Sequence, residues 1–258
     1  GDSLVIAAHA VVSDEPAVTA RPYCDPAPIF DMVGFNRLDD KFYGIDITPG
    51  SPYSFSFTEI PGPDTAPGNE NSPNGLAFDD ATELLYFSSN NTPGDGVTAS
   101  AIYTLAGGGA VTYVGDAPGL VAGATFAGGH YWYVKNRTDD LYMVDTAGNA
   151  TKVADMAGDT VQLRFGDVEF NDADGMIYGS AVDAAAGSVR VFFKVAPDGA
   201  GYTELLRAGT GTLQLALVGG VLYGHSAGNG EFFTVDPNTG GATSIGGIGG
   251  PQFTDLAP

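Results

Sequence analysis

The amino-acid sequence predicts an all-β fold, a β-propeller of five blades, from a repeated hairpin, its period and the composition. A strand of the type Leu/aromatic, Tyr/Phe, x, apolar leads into a tight turn and a return strand, as in Phe232–Ile245. The chain of 258 residues contains 38 Gly and 16 Pro, which suits many short strands joined by turns. The second aromatic residues of the hairpins are Tyr43, Tyr103, Tyr142, Phe193 and Phe233. Their steps are 60, 39, 51 and 40 residues, and a base period of about 40 residues is typical of a four-stranded propeller blade.

The first 28 residues stand outside this repeat. Leu4–Val12 is an almost continuous apolar run, which is typical of a strand buried on both faces. A proline-punctuated connector follows it and includes Arg21–Pro28. We therefore divide the chain into an N-terminal extension, residues 1–28, and a propeller, residues 29–258.

Two further strands precede each hairpin of the propeller. Gly75–Phe78 and Leu84–Phe87 form the clearest pair, and residues 167–179 repeat the pattern closely. The first strand of each pair is rich in small apolar residues, as expected for a strand that lines a crowded central axis.

The first hairpin lacks this innermost strand, and the C-terminus supplies a segment of the same type. Gln252–Ala257 resembles Asn74–Ala77. Pairing of this segment, through Phe253 and Leu256, with the N-terminal blade would close the ring and remove two open sheet edges.

A second alignment of the repeat predicts six blades. Phe30–Gly44 also aligns with Phe165–Gly179, and Gln252–Pro258 together with Leu4–Val12 would then form the sixth blade. The similarity of the turns that follow Thr48 and Val195 favours five.

The hairpins Leu141–Asp145 and Phe232–Gly240 resemble the LYxVDxxTG units of secreted microbial β-propeller domains, many of uncharacterised function. The resemblance covers about residues 29–258 and implies the fold and secretion rather than an activity. The Asp-box repeats and Arg cluster of sialidase propellers are not evident.

The charge is strongly acidic, with 31 Asp and Glu against 10 Lys and Arg and a net charge of −21. Such a surface repels nucleic acid and anionic lipid, so we expect neither as a partner. The absence of any apolar run of membrane-spanning length predicts no membrane insertion.

Several features favour an extracellular setting. The sequence opens at Gly1 without a signal-peptide pattern, and we interpret it as a mature form after signal removal. Cys24 is the single cysteine, so no internal disulfide can form. Whether Cys24 is free or cross-linked stays open.

The sequence assigns no catalytic residue and no organic cofactor. His9, His130 and His225 lack metal-ligand spacing, and no Gly-x-Ser-x-Gly motif occurs. A protein without enzymatic activity is therefore favoured, with a hydrolase or lyase as the alternative.

A weak calcium candidate precedes Gly175. Oxygen-bearing side chains around a glycine turn suit Ca²⁺, although the distal Glu of a complete calcium loop is missing and the same residues are ordinary turn formers. The candidate ligands are Asp167, Asn171, Asp172 and Asp174.

The function favoured by these patterns is structural. The apolar N-terminal strand suits addition to a sheet edge of a neighbouring subunit, and a head-to-tail contact of this kind propagates as a filament, tube or layer. The residues expected to carry assembly are Leu4, Val5, Ile6, Val11 and Val12. The alternative is a monomeric extracellular module that binds a carbohydrate or a protein, for which the aromatic run Tyr131–Tyr133 offers stacking faces unless it packs between blades.

Overall fold

The computed structural model describes residues 21–22, 29–36, 38–60, 73–89, 99–107, 109–158 and 162–258. These residues form an all-β structure, and none of its elements is a helix that could cross a membrane. In chain order the strands are β1 (Arg21–Pro22), β2 (Ile29–Phe30), β3 (Met32–Asn36), β4 (Lys41–Thr48), β5 (Ser54–Ile60), β6 (Pro73–Asp79), β7 (Leu84–Ser89), β8 (Ser100–Leu105), β9 (Val111–Ala117), β10 (Val121–Ala127), β11 (His130–Lys135), β12 (Asp140–Val144), β13 (Ala150–Asp155), β14 (Leu163–Asn171), β15 (Met176–Asp183), β16 (Val189–Val195), β17 (Thr203–Thr210), β18 (Gln214–Val218), β19 (Val221–Ser226), β20 (Glu231–Val235), β21 (Ala242–Gly246) and β22 (Phe253–Ala257).

Five four-stranded antiparallel sheets form the blades of a propeller. From the axis outward, blade I contains β22, β3, β4 and β5. Blades II to V follow in chain order as β6–β9, β10–β13, β14–β17 and β18–β21. The prediction of five blades is confirmed, and the six-blade alignment is wrong because β22 completes the first blade instead of starting another.

The ring closes through the C-terminal strand, as predicted. In the antiparallel pair β22–β3, Phe253 lies opposite Asn36 and Leu256 lies opposite Gly34. Both Phe253 and Leu256 are fully buried. The last strand of the chain therefore takes the innermost place in the first blade.

A short antiparallel pair, β1–β2, lies beside blade I. Arg21 pairs with Phe30, so this contact crosses the predicted boundary at residue 28. The ring of Phe30 covers Gly44 of β4, where an added Cβ would lie 2.1 Å from the ring. The assembly residues predicted between Leu4 and Val12 lie outside the described residues.

The core consists of five apolar clusters, one at each interface between neighbouring blades. Between blades I and II, Phe42 meets Phe35 and Phe87 edge-on at ring distances of 5.1 and 5.7 Å. Where the ring closes, Phe55 of blade I stacks on Phe232 of blade V at 4.6 Å. Because alternate residues of a strand face opposite sides, each middle strand can pack against both neighbouring blades.

Candidate functional site

The five innermost strands meet around the propeller axis, and four of them carry a β-bulge at a corresponding place. The pairing with the second strand of the blade shifts register between Asn74 and Ala77, Val121 and Gly123, Arg164 and Asp167, and Phe253 and Asp255. A bulge leaves a residue unpaired in its own sheet, so its polar groups can bond a neighbouring blade.

Asp255, at the end of the bulge in β22, joins blade I to blade II. Its Oδ2 atom accepts the backbone N–H of Leu76 in β6 at 2.8 Å. Its Oδ1 atom accepts the N–H of Leu256 at 3.0 Å. A charged residue in the middle of an inner strand is therefore held by backbone donors from two blades.

Asp167, at the end of the bulge in β14, makes the same connection between blades IV and V. Its Oδ2 atom accepts the N–H of Leu215 in β18 at 2.8 Å, and its Oδ1 atom accepts the N–H of Val168 at 2.8 Å. The two aspartates thus occupy equivalent positions in their blades and perform equivalent roles.

The two carboxyl groups also lie near each other at the axis. Asp167 and Asp255 have exposed fractions of 1% and 0%, and each lies close enough to the other to influence its pKa. We call these two residues the axial pair.

The surroundings of the axial pair favour its protonated form. Burial, followed by repulsion from Asp255, raises the pKa of Asp167 well above its usual range. Burial likewise raises the pKa of Asp255 to about 7, although the N–H donors of Leu76, Leu256 and Gly75 act in the opposite direction.

Tyr131 of β11 packs beside the axial pair and ties blade III to blade II. Its hydroxyl donates to the carbonyl oxygen of Gly75 at 2.7 Å. Burial, together with the nearby charge of Asp255, raises the pKa of Tyr131 well above its ordinary value. The phenol therefore stays protonated and acts as a donor.

The remaining blade interfaces carry polar connections of their own. Asn74 donates from Nδ2 to the carbonyl oxygens of Val121 and Ala122, at 2.9 and 3.0 Å, between blades II and III. Thr125 Oγ1 accepts the N–H of Phe170 at 3.0 Å between blades III and IV. Each connection satisfies buried polar groups that would otherwise destabilise the fold.

His225 of β19 stabilises the interface between blades V and I. Its Nε2 atom lies 3.2 Å from the carbonyl oxygen of Pro251, and its ring lies 4.6 Å from Phe232 and 5.3 Å from Phe253. Burial lowers the pKa of His225 to about 4, so the ring is neutral at physiological pH. His225 therefore packs as a structural residue between two blades.

A small acidic mouth lies at the end of the axis where the inner strands finish. A cavity of about 50 Å³ is lined by Phe126, Glu169 and Leu217, with Asp80 and Asp172 at its rim. Pockets for small organic ligands enclose roughly 300–1,000 Å³. The mouth is therefore too small to enclose a sugar.

Of the four candidate calcium ligands, Asp167 lies at the propeller axis and the other three lie at the turn that follows β14. Asp167 belongs to the axial pair, and Asn171 Oδ1 accepts the N–H of Ala173 at 3.0 Å. Asp174 accepts the N–H of Met176 and the hydroxyl of Tyr178, at 3.2 and 2.5 Å. Asp172 is exposed. No contact tests the calcium hypothesis directly, so it stays a prediction.

A different set of carboxylates comes together in blade III. Within the described part of the chain, Asp139, Asp140 and Asp155 place oxygens within 4.8 Å of one another. Lys135 and Lys152 form ion pairs with Asp140, and Asp139 accepts the N–H of Ala157 at 2.8 Å. These contacts make the group an ion network that reaches the surface at Lys152 and Asp155.

The aromatic run considered for sugar stacking belongs to the core. Tyr131, Trp132 and Tyr133 are buried, and Tyr133 stacks on Tyr142 at 5.0 Å. The Trp132 indole N–H donates to the carbonyl oxygen of Ala127 at 3.0 Å. These residues pack between blades, which was the alternative to sugar stacking.

The sequence did not predict the axial pair, because Asp167 lies close in sequence to the candidate calcium turn and Asp255 lies far away at the end of the chain. One signal was present: each aspartate lies in the middle of an inner strand, next to an apolar residue. A charged residue in such a strand needs a buried partner, and the partner could be identified only once the ring was closed.

No family model matches the chain, and no curated protein matches it. Solved propellers resemble its fold. One is a chain of a nidogen/laminin complex, with a TM-score of 0.54 and 11% identity, over 88% of this chain and 96% of that chain. Another is a structural genomics protein of unknown function from Bacteroides thetaiotaomicron VPI-5482, with a TM-score of 0.56 and 11% identity. That alignment covers 83% of this chain and 55% of the other. Similarity at this level of identity is a similarity of fold.

Proposed function

We propose that this chain is a secreted structural propeller that assembles with copies of itself. Residues Leu4–Val12 of one copy add as a strand to the outer edge of blade V, strand β21, in the next copy. The apolar pattern of the donor supports this proposal, and so does the character of the acceptor edge. Such a contact is head-to-tail and would extend as a filament, tube or layer.

The outer edge of blade V is the observation that carries the proposal. β21 is the last strand of its sheet, and Ala242, Thr243 and Ser244 are exposed. Open edges are usually protected by charged residues. The other outer strands β5, β9, β13 and β17 each contain charged residues, whereas Ala242–Gly246 contains none.

The connector is long enough to carry the donor strand away from its own propeller. Residues 13–20 separate the apolar run from Arg21 of β1. Eight residues span at most about 26–29 Å when extended. The donor can therefore reach past the rim of a blade, where the edge of another copy would meet it.

The axis supports a structural role as well. The oxygens of Asp167 and Asp255 accept backbone N–H groups, and the mouth at the end of the axis encloses about 50 Å³. These groups hold the ring together, and the mouth formed by the described residues at this end of the axis is too small for a sugar. The surface and the edges are the parts available to a partner.

Sedimentation velocity and negative-stain electron microscopy of three proteins test the proposal. The full chain should form concentration-dependent assemblies, whereas a chain of residues 21–258 should stay monomeric. Thr243→Lys places a charge on the acceptor edge and should abolish assembly of the full chain. Thr151→Lys, at the equivalent position of blade III, is the matched control and should assemble normally. A full chain that stays monomeric at high concentration contradicts the proposal.

A second candidate is an extracellular module that binds a protein partner, and the acidic turn face favours it. The turns at the mouth end of the axis expose Asp80, Asp172, Asp198 and Asp236. A basic protein surface would complement this face, and its binding would weaken with salt. The double variant Asp80→Asn and Asp172→Asn should then reduce binding to a basic partner. The buried Tyr131–Tyr133 run gives a carbohydrate ligand no stacking face.

A further inference from the structure

We propose that the end of the propeller axis opposite the acidic mouth binds a small carboxylate that also carries hydroxyl groups, as a sugar acid does. Arg164 holds the carboxylate, and the side-chain amides of Asn136 and Gln214 accept hydrogen bonds from the hydroxyl groups. We call these three residues the polar rim. The site is separate from the outer edges of the blades, so the proposal does not depend on self-assembly.

The polar rim lies where the inner strands begin. Gln214 is the first residue of β18, and Arg164 is the second residue of β14. Asn136 directly follows β11, and the last residue of β11 pairs with the first residue of β10. Blades III, IV and V therefore contribute one residue each. Because the acidic mouth is formed where the same inner strands finish, the polar rim is at the other end of the axis.

Blades III and IV meet beside Asn136 and Arg164. The backbone N–H of Arg137 donates to the carbonyl oxygen of Leu163 at 2.8 Å, and the N–H of Leu163 donates to the carbonyl oxygen of Thr138 at 3.2 Å. Arg137 is the neighbour of Asn136 in sequence, and Leu163 is the neighbour of Arg164. The two side chains of the polar rim therefore project from segments that are in direct contact.

Blades IV and V meet beside Arg164 and Gln214. Arg164 lies opposite Val182 of β15. Two residues earlier on that strand, Ser180 Oγ accepts the backbone N–H of Leu213, the residue before Gln214, at 3.0 Å. Opposite residues of a sheet, and residues two apart on a strand, lie on the same side. Arg164 is therefore on the side of blade IV that faces the start of β18.

Each member of the polar rim has a buried polar atom that forms no hydrogen bond within the described part of the chain. These atoms are Asn136 Oδ1, Arg164 Nε and Gln214 Oε1. Gln214 is only 6% exposed, whereas Asn136 and Arg164 are half-buried, so part of the rim is open to solvent. Buried polar groups are nearly always hydrogen-bonded, and a ligand that supplies the partners satisfies all three.

The charge of Arg164 points to a carboxylate ligand. Arg164 takes part in none of the ion pairs formed among the described residues, although acidic residues outnumber basic ones by 31 to 10 in the chain. Asp183, which follows the strand partner Val182, is bound by Arg207 at 2.7 Å instead. A guanidinium presents its N–H donors as a planar fork, and this fork matches the two oxygens of a carboxylate.

The remaining atoms of the site point to hydroxyl groups. The amide oxygens of Asn136 and Gln214 are acceptors and need O–H or N–H donors. His225 lies opposite Gln214, on the same side of the sheet. Its Nε2 atom faces the carbonyl oxygen of Pro251, so Nδ1 of the neutral ring is a further acceptor, and it too has no partner within the described residues. A hydroxylated carboxylate supplies these donors together with the negative charge.

Isothermal titration calorimetry of the full chain with three probes tests the site. Glucuronate has a carboxylate and hydroxyl groups, glucose has only the hydroxyl groups, and acetate has only the carboxylate. We expect saturable binding of glucuronate and weaker binding of the other two, by about tenfold or more, since each lacks part of the contacts.

Arg164→Gln should weaken glucuronate binding by about 10- to 100-fold, the change expected when a hydrogen bond to a charged group is lost. Lys194→Gln removes the same charge from blade IV near its mouth end, where Lys194 pairs with Tyr178, and this matched control should bind normally. Gln214→Leu should weaken binding less, by about 2- to 10-fold, because it removes a neutral acceptor.

The melting transition of each variant shows whether it folds. If the variants do not fold, the unaltered chain still decides, because absence of glucuronate binding at millimolar concentration overturns the proposal. Equal binding of glucuronate and acetate overturns the role of the amides. Unchanged binding in a folded Arg164→Gln variant overturns the site as a whole.

Discussion

Asp255 Oδ2 accepts the backbone N–H of Leu76 at 2.8 Å, although Asp255 lies on the last strand of the chain and Leu76 on the innermost strand of blade II. The bond forms only when β22 takes its place in blade I. Closure of the ring and the polar connections along its axis therefore depend on each other.

Removal of the closing aromatic ring should strongly destabilise the propeller. Phe253 is fully buried and contacts the rings of Tyr43, Phe57, His225 and Phe232. We expect Phe253→Ala to lower the free energy of unfolding by roughly 3–5 kcal/mol, as measured by chemical denaturation. Ile248→Ala removes a side chain that is 71% exposed, and it should change that free energy by less than about 0.5 kcal/mol. Similar effects of the two substitutions would contradict closure by β22.

Gly75 should not tolerate a side chain. It has a φ of +63°, and an added Cβ would lie 2.5 Å from the Tyr131 hydroxyl and 2.6 Å from Val121. Gly129 has a φ of +76° with nothing within 4 Å of the added atom. Gly129→Ala should therefore show only the backbone strain, about 1–2 kcal/mol, in denaturant titrations. Gly75→Ala should lower the free energy of unfolding by more than Gly129→Ala does. An equal loss in the two variants would show that the structure around Tyr131 can accommodate the added methyl group.

Because of His225, the free energy of unfolding should decrease as the pH is lowered from about 6.5 to 4. The pKa of His225 is lowered from 6.5 to about 4 in the folded protein, so the unfolded state binds the proton first. The contribution of the neutral ring is complete above about pH 6.5 and is lost as pH falls towards 4.

His225→Phe should reduce this dependence of the unfolding free energy on pH, because a phenyl ring cannot titrate. The difference in unfolding free energy between the two proteins should be constant above pH 7 and change between pH 6.5 and 4. A difference that does not vary with pH would mean that the histidine is accessible to protons when folded.

Calcium should have little effect on the propeller. Asp167, Asn171 and Asp174 already accept hydrogen bonds from protein groups. We expect the melting temperature to be the same with a chelator and with millimolar calcium. A rise with calcium that Asp172→Asn and Asp174→Asn remove would support the calcium hypothesis.

The blades could be predicted from sequence because each is built from local pairings. Hairpins such as Phe232–Ile245 pair neighbouring strands, and their alternation and turns are encoded within a few residues of one another. Closure was also predictable, since Gln252–Ala257 has the character of an inner strand and the first hairpin lacks one.

The axial pair could not be predicted because its two members meet only through the completed ring. Asp167 is close in sequence to Asn171, Asp172 and Asp174, so a local reading places it in their turn. In the structure it lies in mid-strand, where a bulge directs its polar groups towards blade V. The short separation in sequence between Asp167 and the turn residues therefore does not indicate a shared site.

Binding of the isolated N-terminal segment tests the central claim of strand addition most directly. A labelled peptide of residues 1–20 would be titrated with the chain of residues 21–258, whose fold is checked by its melting transition, and followed by fluorescence anisotropy. We predict saturable binding that Thr243→Lys abolishes and Thr151→Lys leaves unchanged. Absence of binding, or equal loss in both variants, would contradict the account.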